Sequence, residues 1–133
     1  MTSTVVYKGD LRCECVHSQS SETAITDAPV DNNGKGASFS PTDHVATALA
    51  SCMLTVMGIK AREMDIEMED SVAAVTKVMA SDPRRISEIK VTLNMNGNAD
   101  QRARLILERV AQTCPVRNSL HPEIKLDINF NWS

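Results

Sequence analysis

Residues 40–63 read SPTDHVATALASCMLTVMGIKARE, and this stretch decides the fold. It opens with the signals of a helix start. Ser40 is a good N-cap, Pro41 suits the first helical position, and Asp43 stands where a capping-box acid reaches back to the cap amide. Ala46, Ala48, Ala50 and Ser51 keep the next turns slim, so neighbouring backbone can approach closely. Val45, Leu49, Cys52, Val56 and Ile59 recur at helical spacing on one stripe, while Met53, Leu54 and Met57 extend apolar character around the cylinder. Such a helix is expected to be buried on most sides. It needs more cover than one small sheet gives, and a partner subunit would supply the rest. Asp43 and His44 at one end and Lys60, Arg62 and Glu63 at the other bound the apolar run, leaving too little to span a bilayer. The reading is a core helix with a thiol, Cys52, near its middle.

The chain around this helix has 133 residues, which suits a single domain, 1–133, able to bury roughly 70% of its unfolded surface. Hydrophobic residues make up 42% and charged residues 23%, ordinary values for a globular protein. A net charge of −3 without a basic cluster, and aromatics at only 3%, argue against nucleic-acid binding. The opening MTSTVVYKGD has no apolar core flanked by positive charge, so no secretory signal is expected. Four cysteines without such a signal fit a reducing cytoplasm better than a disulfide scaffold.

Strands precede the helix. Thr4 to Lys8 alternates weakly and stops at Gly9-Asp10. Leu11 to His17 alternates again, with Leu11, Cys13, Cys15 and His17 on one face and Arg12, Glu14 and Val16 on the other. Thr23 to Thr26 gives a third short strand, completing an antiparallel meander. Cys13, Cys15 and His17 could offer soft metal ligands, but no second Cys or His pair with zinc-site spacing follows, so packing is the better reading. Arg12 by itself is a solvated or ion-paired side chain. The Gly/Asn-rich DNNGKGASF, 31–39, matches no phosphate-loop spacing and reads as a plain connection that could border a substrate pocket.

After the helix, Glu67 to Ala80 keeps a helix-like three-residue spacing at Val72, Val75 and Val78, but its β-branched content and the following Asp82-Pro83 turn favour a strand paired with Ile86 to Asn96. The second of these alternates cleanly, with Ile89, Val91, Leu93 and Met95 facing one way. Asp100 to Thr113 is an amphipathic helix with Ala103, Ile106, Leu107 and Val110 inward and its arginines mainly on the solvated face. Ile124 to Trp132 is a closing strand, expected to pair with the N-terminal sheet. Strands, a long helix, two strands, a helix and a last strand make an α+β fold.

Cys52 alone reads more readily as an inert small core hydrophobe than as a nucleophile. Cys114 precedes Pro115, which again suits a first helical position, so Cys114 would sit at the N-terminus of a short helix, 115–120, where partial positive charge favours a thiolate. A loop cysteine is the plainer alternative.

SPTD-x-VATALASC followed about sixty residues later by CPVRNSL resembles the OsmC/Ohr superfamily, thiol-dependent peroxidases of organic hydroperoxides. The resemblance spans nearly the whole chain and implies an OsmC-like fold: antiparallel sheets around a long buried central helix, in an intertwined homodimer with active sites at the subunit interface. It implies that Cys52 is the peroxidatic thiolate, oxidised to a sulfenic acid, and that Cys114 resolves it as a disulfide which a dithiol reductant then reduces. Arg12 is the best match to the arginine that stabilises the thiolate, because a guanidinium favours the charged form of a thiol. No metal or organic cofactor is needed, and neither membrane nor nucleic acid is a partner. Members place a glutamate ten residues before the peroxidatic cysteine; here that residue is Thr42. The nearest acid, Asp43, is turned about 100° around the helix and reads better as a cap. Thr42, Asp43 and Leu49 are the candidates for lining a substrate pocket. The missing glutamate keeps a second reading open: a non-enzymatic homodimer of the same fold that binds a hydrophobic small molecule or senses redox state.

Overall fold

A computed structural model describes residues 1–133, and the chain divides into two compact units, Met1–Val45 and Ala46–Ser133. In the first, β1 (Ser3–Gly9), β2 (Arg12–His17) and β3 (Thr23–Asp27) form an antiparallel meander in that order. The alternation read from the sequence holds. The first turn is tight because Gly9, Asp10 and Leu11 all take positive φ, and the Tyr7 hydroxyl accepts from the Leu11 amide at 3.3 Å. Most of this sheet is exposed, including Val5 and Tyr7 at 62% and 64%. A short 3-10 turn, Val30–Asn32, begins the connection to the helix. The Asp27 amide donates to the Phe39 carbonyl at 3.0 Å and the Ala37 amide donates to Asp27 Oδ2 at 2.9 Å, which ties the connection to the end of β3.

Helix α1 (Pro41–Glu63) starts as the sequence predicts. Ser40 Oγ accepts from the Asp43 amide at 3.1 Å, and Asp43 Oδ2 accepts from the Ser40 amide at 3.0 Å, a reciprocal capping box. Its inner face departs from the expected stripe. Ala46, Leu49, Ala50, Met53, Met57 and Ala61 are buried, whereas Val45 and Ile59 are 38% and 57% exposed and Cys52 and Val56 are intermediate. Within one chain the helix is therefore covered along one face and not on most sides. With apolar residues almost all round, the sequence could not fix which face turns inward. The expectation that the apolar run is too short to span a bilayer is also corrected: by length and composition alone the 23-residue helix reaches that threshold. Core helices of soluble proteins reach it too, and this helix sends its buried face into the core.

The second unit has the sheet order β4 (Val72–Ala80), β5 (Arg85–Met95), β6 (Lys125–Trp132). β4 and β5 form an antiparallel hairpin with a cis Asp82–Pro83 peptide at its turn. Ile89, Val91, Leu93 and Met95 of β5 are buried, as their alternation predicts, and join the inner face of α1 in one core. β6 does not pair with the N-terminal sheet. It lies parallel to β5, from Glu88↔Lys125 to Met95↔Trp132. The physical reason is the crossover: α2 (Gln101–Ala111) and α3 (Pro115–Ser119) carry the chain back to the end of the sheet where β5 began. α2 is capped by Asp100, whose side chain accepts from the Ala103 amide at 2.8 Å, and it buries Ala103, Leu107 and Ala111. Arg104 is not simply solvated. Its Nε donates to the Ala99 carbonyl at 3.0 Å, Nη2 donates to the Ser133 carbonyl at 3.3 Å, and the guanidinium lies 5.4 Å over the Trp132 ring.

Candidate active site: a thiol pair

Cys52 sits on α1 directly before the buried Met53, one position off the inner face. It is half-buried and packs against the core. A thiol in that position keeps apolar support on one side and a route to solvent on the other.

Cys114 is fully buried. It is the N-cap of α3, in extended conformation with Pro115 behind it, as the sequence predicts, and its Sγ accepts from the Arg117 amide at 3.3 Å. The expectation that the helix terminus leaves this sulfur as a thiolate is corrected. Burial pushes the Cys114 thiol above its ordinary range and outweighs the Arg117 N–H, which pulls the other way. The neighbouring Cys52 side chain pushes it up further. The structure thus brings the two cysteines of the motif pair together, sixty-two positions apart in sequence.

The remaining site candidates lie in the first unit, apart from Leu49. Arg12 opens β2 and faces Asp27, its register partner on β3. Its Nε is 3.6 Å from Asp27 Oδ1, an ion-pair distance longer than a hydrogen bond. The Asp27 carboxyl is held below its usual range, first by the Ala37 N–H and then, against the cost of burial, by the Arg12 charge. Asp27 did not emerge from the sequence. Counting the hairpin register outward from residues 18–21, with His17 facing Glu22, would have placed it opposite Arg12. Thr42 Oγ1 lies 3.2 Å from Ser40 Oγ, and Asp43 serves the cap, so both belong to the first turn of α1. Leu49 is fully buried in the core. Cys13 and Cys15 are half-buried on β2, and the His17 ring lies 2.7 Å from Ser20 Oγ.

The helix–thiol motif, the capped second cysteine and the two sheets coincide with a known family: the model for OsmC-like protein matches residues 34–129. The chain belongs to that family. Among solved structures, it is 52% identical to a Psychrobacter arcticus 273-4 protein provisionally described as an osmotic stress induced and detoxification response protein. The match covers 98% of this chain and 96% of that one, with a TM-score of 0.95. An organic hydroperoxide resistance protein from Elizabethkingia anophelis shares the fold at 13% identity, over 100% and 97% of the two chains, with a TM-score of 0.76. The organic hydroperoxide resistance protein OsmC of Legionella pneumophila does so at 18% identity, over 100% and 97%, with a TM-score of 0.69. No functionally curated sequence matches the chain. The fold is thus the α+β OsmC-like fold expected from the sequence.

Proposed function

We propose that this protein is a thiol-dependent peroxidase of organic hydroperoxides, acting in peroxide resistance. The observation that carries the reading is the thiol pair: a half-buried Cys52 on the central helix beside a buried Cys114 that keeps its proton. A half-buried thiol beside a buried one that burial holds in the protonated form suits a two-step redox cycle, because the first must attack as a thiolate while the second waits as a thiol. The Cys52 thiolate attacks the terminal peroxide oxygen. The O–O bond breaks, the alkoxide takes a proton and leaves as the alcohol, and Cys52 becomes a sulfenic acid. Cys114 then attacks that sulfur, a disulfide forms, and hydroxide leaves with the thiol proton as water. A dithiol reductant returns both sulfurs to thiols. The electrons travel through sulfur alone, so the cycle as written calls for no metal or organic cofactor.

Arg12 is assigned the role of favouring the Cys52 thiolate through its positive charge. Thr42, Asp43 and Leu49 remain the proposed pocket residues, Leu49 acting from beneath by supporting the helix surface. The functional unit is proposed to be a homodimer. Its support is the apolar surface left uncovered in one chain, notably Val5, Val6 and Tyr7 on β1 and Val45 and Ile59 on α1. A cytoplasmic location, with its reducing thiol pool, belongs to the same reading.

The test is consumption of cumene hydroperoxide with a dithiol reductant by wild type and Cys52→Ser. Turnover that is lost in the variant is expected. A wild-type rate no higher than the variant's would overturn the peroxidase reading.

A further inference from the structure

We propose that Asp27, facing Arg12 across the β2–β3 pair, is the positioning residue that fixes the Arg12 guanidinium; this rests on the role given to Arg12 above. The two side chains are unequal partners. Asp27 is 1% exposed, whereas the Arg12 side chain is 39% exposed. The carboxylate is the anchored member. Its own amide donates to the Phe39 carbonyl at 3.0 Å, and its Oδ2 is occupied by the Ala37 amide at 2.9 Å. Oδ1 is buried and has no hydrogen-bond partner, so the Arg12 Nε at 3.6 Å is what it faces.

A buried carboxylate oxygen in that state is costly unless a cation stays beside it. The fold therefore fixes the near end of the guanidinium through the carboxylate. The ion-pair contact is made through Nε. An arginine gripped at Nε presents the other nitrogens of its rigid fork as a forward-facing pair of donors. That arrangement suits an arginine whose partner is an anion elsewhere.

The sign of one shift separates positioning from charge alone. Removing the Asp27 negative charge while Arg12 stayed in place would favour an anion near Arg12. Removing the anchor lets the guanidinium wander and disfavours it. The experiment follows iodoacetamide alkylation of Cys52, resolved by peptide mass spectrometry, against pH. It compares wild type, Asp27→Asn, Arg12→Gln and the double variant, with cumene hydroperoxide turnover measured alongside.

Asp27→Asn is expected to move the Cys52 alkylation midpoint upward and to lower kcat/KM about tenfold, the equivalent of one pKa unit. In the Arg12→Gln background the same change should alter either readout less than twofold. A downward midpoint, an unchanged one, or an equal effect in both backgrounds would overturn the proposal. Arg12→Lys, which keeps a cation beside the buried carboxylate but loses Nε, covers the case in which Asp27→Asn does not fold. It should raise the midpoint too, and an unchanged midpoint overturns the proposal. If wild type shows no turnover while the coupling persists, the peroxidase reading fails and the positioning role stands. Turnover without coupling gives the reverse result.

Discussion

Replacing Cys114 tests the second thiol's structural role separately from its redox role. Cys114 is fully buried, and its Sγ accepts the Arg117 amide at the start of α3. Cys114→Ala removes the cap acceptor, worth about 1 kcal/mol. It also removes a buried heavy atom, worth roughly another 1 kcal/mol in lost transfer energy and residual cavity. The expected loss is therefore about 2 kcal/mol. Cys114→Ser keeps an acceptor at the cap position and fills most of the space, but it buries a more polar group. Its expected loss is about 1 kcal/mol. Equilibrium urea unfolding under reducing conditions measures both, at unchanged m-value. Both variants lack the resolving sulfur, so with hydroperoxide each should accumulate Cys52 sulfenic acid, trapped by dimedone, to a similar extent. Alanine as stable as serine would refute the capping argument. Wild-type sulfenic acid levels in both variants would refute the resolving role.

Asp27 makes stability depend on acid. Its folded carboxyl titrates below the usual 3.8, so its contribution is present above that value and is lost as pH falls through the folded pKa. Denaturant midpoints measured from pH 6 down to pH 2 should therefore fall more steeply for wild type than for Asp27→Asn. Cys114 acts at the other end of the scale. Its raised pKa contributes stability that is present below about pH 9 and lost as pH rises beyond it, and Cys114→Ser should flatten the alkaline limb of the same titration. Asp100→Ala should cost about 1 kcal/mol in urea unfolding by removing the cap of α2. Gly97 has φ +122°, and a Cβ there would collide with the Glu67 carbonyl. Gly97→Ala should cost more than about 2 kcal/mol by the same assay.

What the sequence disclosed were the local features. The capping box of α1 could be read because Ser40 and Asp43 are three residues apart and serve each other. The buried side of β5 could be read because a period of two leaves only two choices, and Ile89, Val91, Leu93 and Met95 make one of them apolar. The inner face of α1 could not, since Val45 and Ile59 are as apolar as Leu49 and Met53 and only packing partners choose between them. The partner of β6 was hidden because strand pairing is non-local, and its own alternation is compatible with either sheet. At Cys114 the short helix could be read but the burial could not, and burial decides its ionisation. Arg12 was visible, whereas Asp27 required the register of a hairpin.

The parallel pairing of β5 with β6 has a kinetic consequence. Antiparallel β4 and β5 are joined by a short turn and can zip locally. β6 must wait until residues 96–124 have folded into their crossover, and closing a loop of that size is slow compared with hairpin formation. Cys114 lies inside that crossover, so its sulfur should stay open to solvent until the third strand docks. The residue is therefore a natural clock for the final step of folding: pulses of a thiol-labelling reagent during refolding would see Cys114 protected late, together with β6.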